Sequence, residues 1–294
     1  MFIKKICFLL VLSITITNQA FSQFTLLDEA YKEKSQKKLD DFFELWRREI
    51  PPISDNQFLN LSDTSKEAYN VFKAFYNSRL NNIDKLESND DRYKNVSYLI
   101  IQPKLPIRIQ NKVYYTIDEK KTIYEELLSK YGKDSLDILR LSLSQFPEED
   151  RDVEELYGND FLFIDTIAEF RPDISFTNKQ KAVYLTLPYE IELTFFLGSQ
   201  IDRNNERLHY TTYLPLKTIN SRKKFLEHKI KIYKGHWGAY WQLITYPEVQ
   251  IIIFDKEMQY AKIYFRIVYE GGEAILKKEE DKWIIQSSQI TWVE

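Results

Sequence analysis

Cysteine is almost missing from this chain, with Cys7 the only one in 294 residues, so no internal disulfide can form and no set of thiolates can hold a metal. Histidine is nearly as scarce. His209, His228 and His236 are the only three, and no two stand at the i, i+4 spacing of a helical zinc motif, so the sequence implies neither a metal nor a cofactor. Seven glycines and nine prolines are too few to make a flexible linker. There is no G-x-S-x-G elbow, no phosphate-cradling glycine loop and no dinucleotide fingerprint.

Long apolar runs are missing as well. The nearest approach is at the N-terminus, where Ser13, Thr15 and Thr17 interrupt the apolar stretch and leave it short of the roughly 20 residues a spanning helix needs. With Lys4-Lys5 before it and Ala20-Phe21-Ser22 after it, residues 1–22 read as an export signal whose cleavage frees Gln23. Residues before Cys7 do not fit a lipoprotein signal. The expected product is an exported protein, periplasmic or secreted from a Gram-negative bacterium, with no transmembrane segment after cleavage. Losing Lys4, Lys5 and Cys7 leaves no thiol and takes the formal charge from −3 to −5, with 39 basic against 44 acidic residues. No basic footprint for a nucleic-acid backbone is visible.

What is present is apolar and aromatic residue, 44% and 15% of the chain, enough for a substantial core. Leu39, Phe42, Phe43, Trp46 and Ile50 line one helical face, which Pro51-Pro52 ends. On the opposite face Lys37 with Asp41 and Glu44 with Arg48 stand four apart and are expected to pair. A second helix is expected from a capping box at Thr64 and Glu67, with Ala68, Val71, Phe72 and Phe75 as its core face. The two helices are expected to form one antiparallel element over residues 25–80. Strands are expected at 96–102, 105–110 and 113–117, while 120–146 fits both periods. The acidic stretch 147–160 marks a boundary, dividing residues 23–155, helical then β-rich, from an α+β domain at 156–294. Within it Asp150-Arg151-Asp152-Val153-Glu154 lacks the glycine turn of a calcium loop. A strand at 182–186 and a helix at 188–197 ended by Gly198 follow.

The last third alternates as an antiparallel meander. Gly271-Gly272 is expected to supply one tight turn and residues 279–282 another, placing Ile284, Ile290 and Trp292 on one face and Trp283 with Ile285 on the other. The run Glu280-Asp281-Lys282-Trp283-Ile284-Ile285 resembles the closing turn and strand of NTF2-like (cystatin-like, cone-shaped) α+β domains. That likeness covers roughly the last 50 residues. It implies an α+β fold with N-terminal helices, a mixed β-rich region and a curved antiparallel sheet. Phe170-Arg171-Pro172, Phe225-Leu226 and the stretch from Gly235 to Trp241 resemble uncharacterised exported proteins of Bacteroidetes, a likeness that carries no activity.

The segment from His236 to Trp241 is the best candidate site. Residues four apart share a face on either a helix or a strand, so Trp237 pairs with Trp241 and His236 with Tyr240. Alternation of Trp237, Ala239, Trp241 and Leu243 favours a strand. The tryptophans are either a stacking platform for a flat ligand or core packing. His236 and Tyr240 are either an acid/base pair or ordinary sheet residues. Three readings follow: an exported binding or interaction module for a small apolar or carbohydrate ligand, a hydrolase-type enzyme using His236 and Tyr240 with an unidentified carboxylate, or a structural envelope protein. Neither the ligand nor the oligomeric state is fixed by the sequence.

Overall fold

The computed structural model describes residues 26–81, 93, 95–132, 162–174, 180–202, 209–235 and 240–293. Its helices are α1 (26–32), α2 (Gln36–Glu49), α3 (Asp55–Leu59), α4 (Asp63–Asn81), α5 (Ile117–Tyr131), α6 (Leu187–Phe196) and α7 (Leu216–Leu226). Its strands are β1 (Tyr98–Ile101), β2 (Leu105–Gln110), β3 (Phe163–Ile167), β4 (Lys181–Tyr184), β5 (Ser199–Asp202) and β6 (His209–Thr212). The remainder are β7 (Tyr233–Lys234), β8 (Trp241–Gln242), β9 (Glu248–Asp255), β10 (Tyr260–Ile267), β11 (Glu270–Glu279) and β12 (Lys282–Val293). The fold is α+β. It divides into two compact units, each assembled from three chain segments: 1–52, 90–102 and 173–245 in the first, and 53–89, 103–172 and 246–294 in the second. The boundary expected at 155/156 lies outside the described residues.

In the first unit, α2 starts where Ser35 accepts a hydrogen bond from the Lys38 amide, and it buries Leu39, Phe42, Phe43 and Trp46 completely. The Trp46 indole lies flat on Tyr189 of α6, centroids 4.3 Å apart and planes within 6°, and its Nε1 donates to the Tyr184 carbonyl at 3.0 Å. β1 and β4 pair in parallel. Beyond β1, Thr245 completes the edge: its Oγ1 accepts from the Ile100 amide and its own amide donates to the Ile100 carbonyl. Phe225 and Leu226 close the same core from α7.

The second unit is a six-stranded sheet, ordered β12-β11-β10-β9-β2-β3, antiparallel except where β2 runs parallel to β9. The core face of α4 packs on it as its spacing predicts, with Ala68, Val71, Phe72 and Phe75 fully buried and Phe75 against Phe265. Phe170 is buried between Tyr69 and Phe72, and the Tyr69 hydroxyl donates to the Glu169 carbonyl and accepts from the Arg171 amide. Those hydrogen bonds give Phe170-Arg171-Pro172 a place in packing.

Several local expectations are corrected. α2 and α4 fall in different units, so they do not form one helical element. Ser62, not Thr64, caps α4 by accepting from the Ser65 amide, and the Glu67 carboxylate instead accepts from Trp283 Nε1 at 2.6 Å and Lys278 Nζ at 2.7 Å. Residues 113–116 form no strand; Thr116 and Glu119 make a reciprocal capping box that starts α5. Gly271 and Gly272 lie inside β11, and the turn falls at Val268-Tyr269. A Cβ on Gly271 would sit 1.9 Å from the Trp292 ring, and one on Gly272 2.4 Å from the Gln289 carbonyl oxygen. Close approach, not turn geometry, demands these glycines. Opposite them Trp292 faces Gly271 while Ile290 faces Gly272 across a bulge, which puts Ile290 and Trp292 on opposite faces. The charged turn does hold: Glu280 and Asp281 both take positive φ, 48° and 63°, as a two-residue hairpin requires.

Candidate functional site

Of the four residues singled out by sequence, Tyr240 and Trp241 are described; His236 and Trp237 lie outside the described residues. Tyr240 directly precedes β8, where its carbonyl accepts from the Gly235 amide, and the residue is 38% exposed. Trp241 turns inward, 4% exposed, in the core of the first unit, with Nε1 donating to Ser199 Oγ at 2.9 Å. A buried, hydrogen-bonded indole has the environment of a packing residue. His228 is exposed after α7. Among the described residues, no group of three His, Cys, Asp or Glu side chains could hold a metal ion, and no helix is long and apolar enough to cross a membrane.

The first unit carries two features that the sequence reading did not single out. One is an open cleft of about 700 Å³ along the solvent face of α2, lined by Leu26, Leu45, Pro51 and Pro52 together with Asp41, Glu44, Arg47 and Arg48. The i, i+4 pair expected between Glu44 and Arg48 is not made. Glu44 instead accepts from Lys181 Nζ at 2.6 Å and from the Tyr98 hydroxyl at 2.7 Å. Burial alone would raise the Glu44 carboxyl, but these two donors, with Arg47 nearby, hold it below its ordinary range. Asp41 is likewise unpaired with Lys37. Asp41, Arg47 and Arg48 form no ion pair among the described residues.

The other feature is Glu192, on the inward face of α6 and 1% exposed, whose Oε1 has no hydrogen-bond partner among the described residues. Burial, with the neighbouring Glu49 and Asp28 charges adding to it, pushes its carboxyl up to about 8. Glu49 already accepts from the Tyr189 hydroxyl at 2.6 Å. Asp28 lies 3.7 Å from Arg222 Nη2, and Arg222 donates through Nη1 to the Phe196 carbonyl while its Nε is buried without a partner. The clue was in the sequence: Glu190 and Glu192 stand two apart on a largely apolar helix, so they point to nearly opposite sides of it.

No family model, curated protein or solved structure matches the chain. Geometry alone therefore ranks the two features. Glu192 has the burial of a proton-holding core group, and the α2 cleft has the size, access and mixed lining of a ligand site.

Proposed function

We propose that this protein is an exported binding module that takes a small ligand in the cleft on the solvent face of α2. The observation that carries the reading is the lining of that cleft: apolar walls from Leu26, Leu45, Pro51 and Pro52 beside Asp41, Arg47 and Arg48, which have no ion partner among the described residues. Apolar walls supply affinity, and a few charges without counterparts supply orientation and selectivity. The volume, about 700 Å³, lies in the middle of the range small molecules occupy.

Export belongs to the same reading, since the basic, apolar and A-x-S pattern of residues 1–22 describes a secreted or periplasmic product beginning at Gln23. The second unit is proposed as the NTF2-like part of the chain, in keeping with a long helix packed on a bulged antiparallel meander. Membership of an exported Bacteroidetes family is proposed on the sequence likeness alone.

The test is a thermal-shift screen of residues 23–294 against short peptides, sugars and small carboxylates, run in parallel on Leu45→Trp. Leu45 is only partly buried, so the larger ring fills the cleft without entering the core. A compound class that raises the melting temperature of the natural protein and not of Leu45→Trp is the expected result. Compounds that stabilise both proteins equally place the ligand elsewhere and contradict the proposal.

A further inference from the structure

We infer that the ligand of the α2 cleft is a short peptide with free termini, about three residues long, lying along the helix with its ammonium at Asp41 and its carboxylate at Arg48. The inference rests on the cleft being the ligand site. Within the cleft Asp41, Leu45 and Arg48 stand at i, i+4 and i+7 of α2, so they form one stripe with an acid at one end, a base at the other and an apolar side chain between. Seven residues of α-helix span about 10.5 Å. An extended chain of three residues covers about the same length, roughly 10–11 Å.

The partnering of the other charges sharpens this match. Glu44 is occupied by Lys181 and Tyr98. That leaves one acid, Asp41, and two bases, Arg47 and Arg48, facing the cleft without ion partners among the described residues. A carboxylate has two oxygens for the forked guanidinium, so a peptide C-terminus can engage Arg48 through both. Leu45 then meets the central side chain, while Leu26, Pro51 and Pro52 offer further apolar contact. A fatty acid would satisfy the arginines and leave Asp41 unanswered. A neutral sugar would leave the charges at both ends of the stripe unanswered.

Calorimetric titration of residues 23–294 with the tripeptide Ala-Leu-Ala, its N-acetyl form and its C-terminal amide tests the inference. The free peptide is expected to bind, and each cap to weaken binding about three- to tenfold. Arg48→Gln should remove the penalty for amidation while keeping that for acetylation, and Asp41→Asn should do the reverse. Both substitutions are at exposed positions on α2, so folding is retained. Equal affinity for all three peptides overturns the inference, as does a failure of Ala-Leu-Ala to bind. Penalties that survive the matching substitution overturn it too. The Leu45→Trp screen decides the cleft reading separately, because its sugars and small carboxylates report on the cleft whether or not peptides bind.

Discussion

Glu192 sits in an environment that disfavours its charged form. An ionised carboxylate there would be buried, without a hydrogen-bond partner for Oε1, and near two more acids, so the native state keeps the proton. In the unfolded chain the same group titrates near 4.5, against about 8 when folded. Between those values the folded state binds the extra proton, and stability falls as pH rises, by about 1.4 kcal/mol per pH unit for one proton. Glu192→Gln keeps the shape without the proton. Relative to the natural protein, it should gain stability steadily from about pH 4.5 to 8 and run parallel above, as followed by urea unfolding at each pH. Parallel curves over the whole range would refute the assignment. Trp241→Phe tests a second residue: losing the bond to Ser199 should cost about 1 kcal/mol and leave cleft binding unchanged.

At the level of elements, sequence spacing predicted the helices with strong apolar stripes and the alternating strands of the meander. Leu39, Phe42, Phe43 and Trp46 are all fully buried on α2, because a wide apolar stripe has only one favourable orientation. Spacing failed where a residue has two local options and a distant partner decides. Glu67 has the sequence position of a capping residue, yet Lys278 and Trp283, more than 200 residues away, claim its carboxylate. Gly271-Gly272 reads as a turn, and the Trp292 ring against Gly271 and the Gln289 carbonyl with the Phe265 ring against Gly272, unseen in local sequence, account for the two glycines. The α2 cleft was equally illegible, since its character depends on Glu44 being drawn off by Lys181. Two predictions follow at this scale. Gly272→Ala should destabilise by about 1–3 kcal/mol, more than Gly271→Ala, because a strand carbonyl yields less readily than the partly exposed Trp292 ring. Glu67→Gln should cost about 1–3 kcal/mol and alter Trp283 fluorescence, both readable in one urea titration.

For the whole molecule, the chain passes between its two compact units five times, so neither corresponds to a continuous stretch of sequence. β4 needs β1, and β9 needs β2, both supplied from before residue 111. A fragment of residues 156–294 should therefore show no cooperative unfolding transition by circular dichroism. Cleavage of the proposed signal would leave a thiol-free protein of charge −5, whose stability comes from its two cores and not from cross-links. The proposed function places a ligand on the solvent face of α2. The most direct measurement is an NMR titration of isotope-labelled residues 23–294 with Ala-Leu-Ala, following the backbone amides. Shifts concentrated at Asp41, Leu45, Arg47 and Arg48 are predicted; shifts confined to β9–β12, with α2 unmoved, would contradict the account.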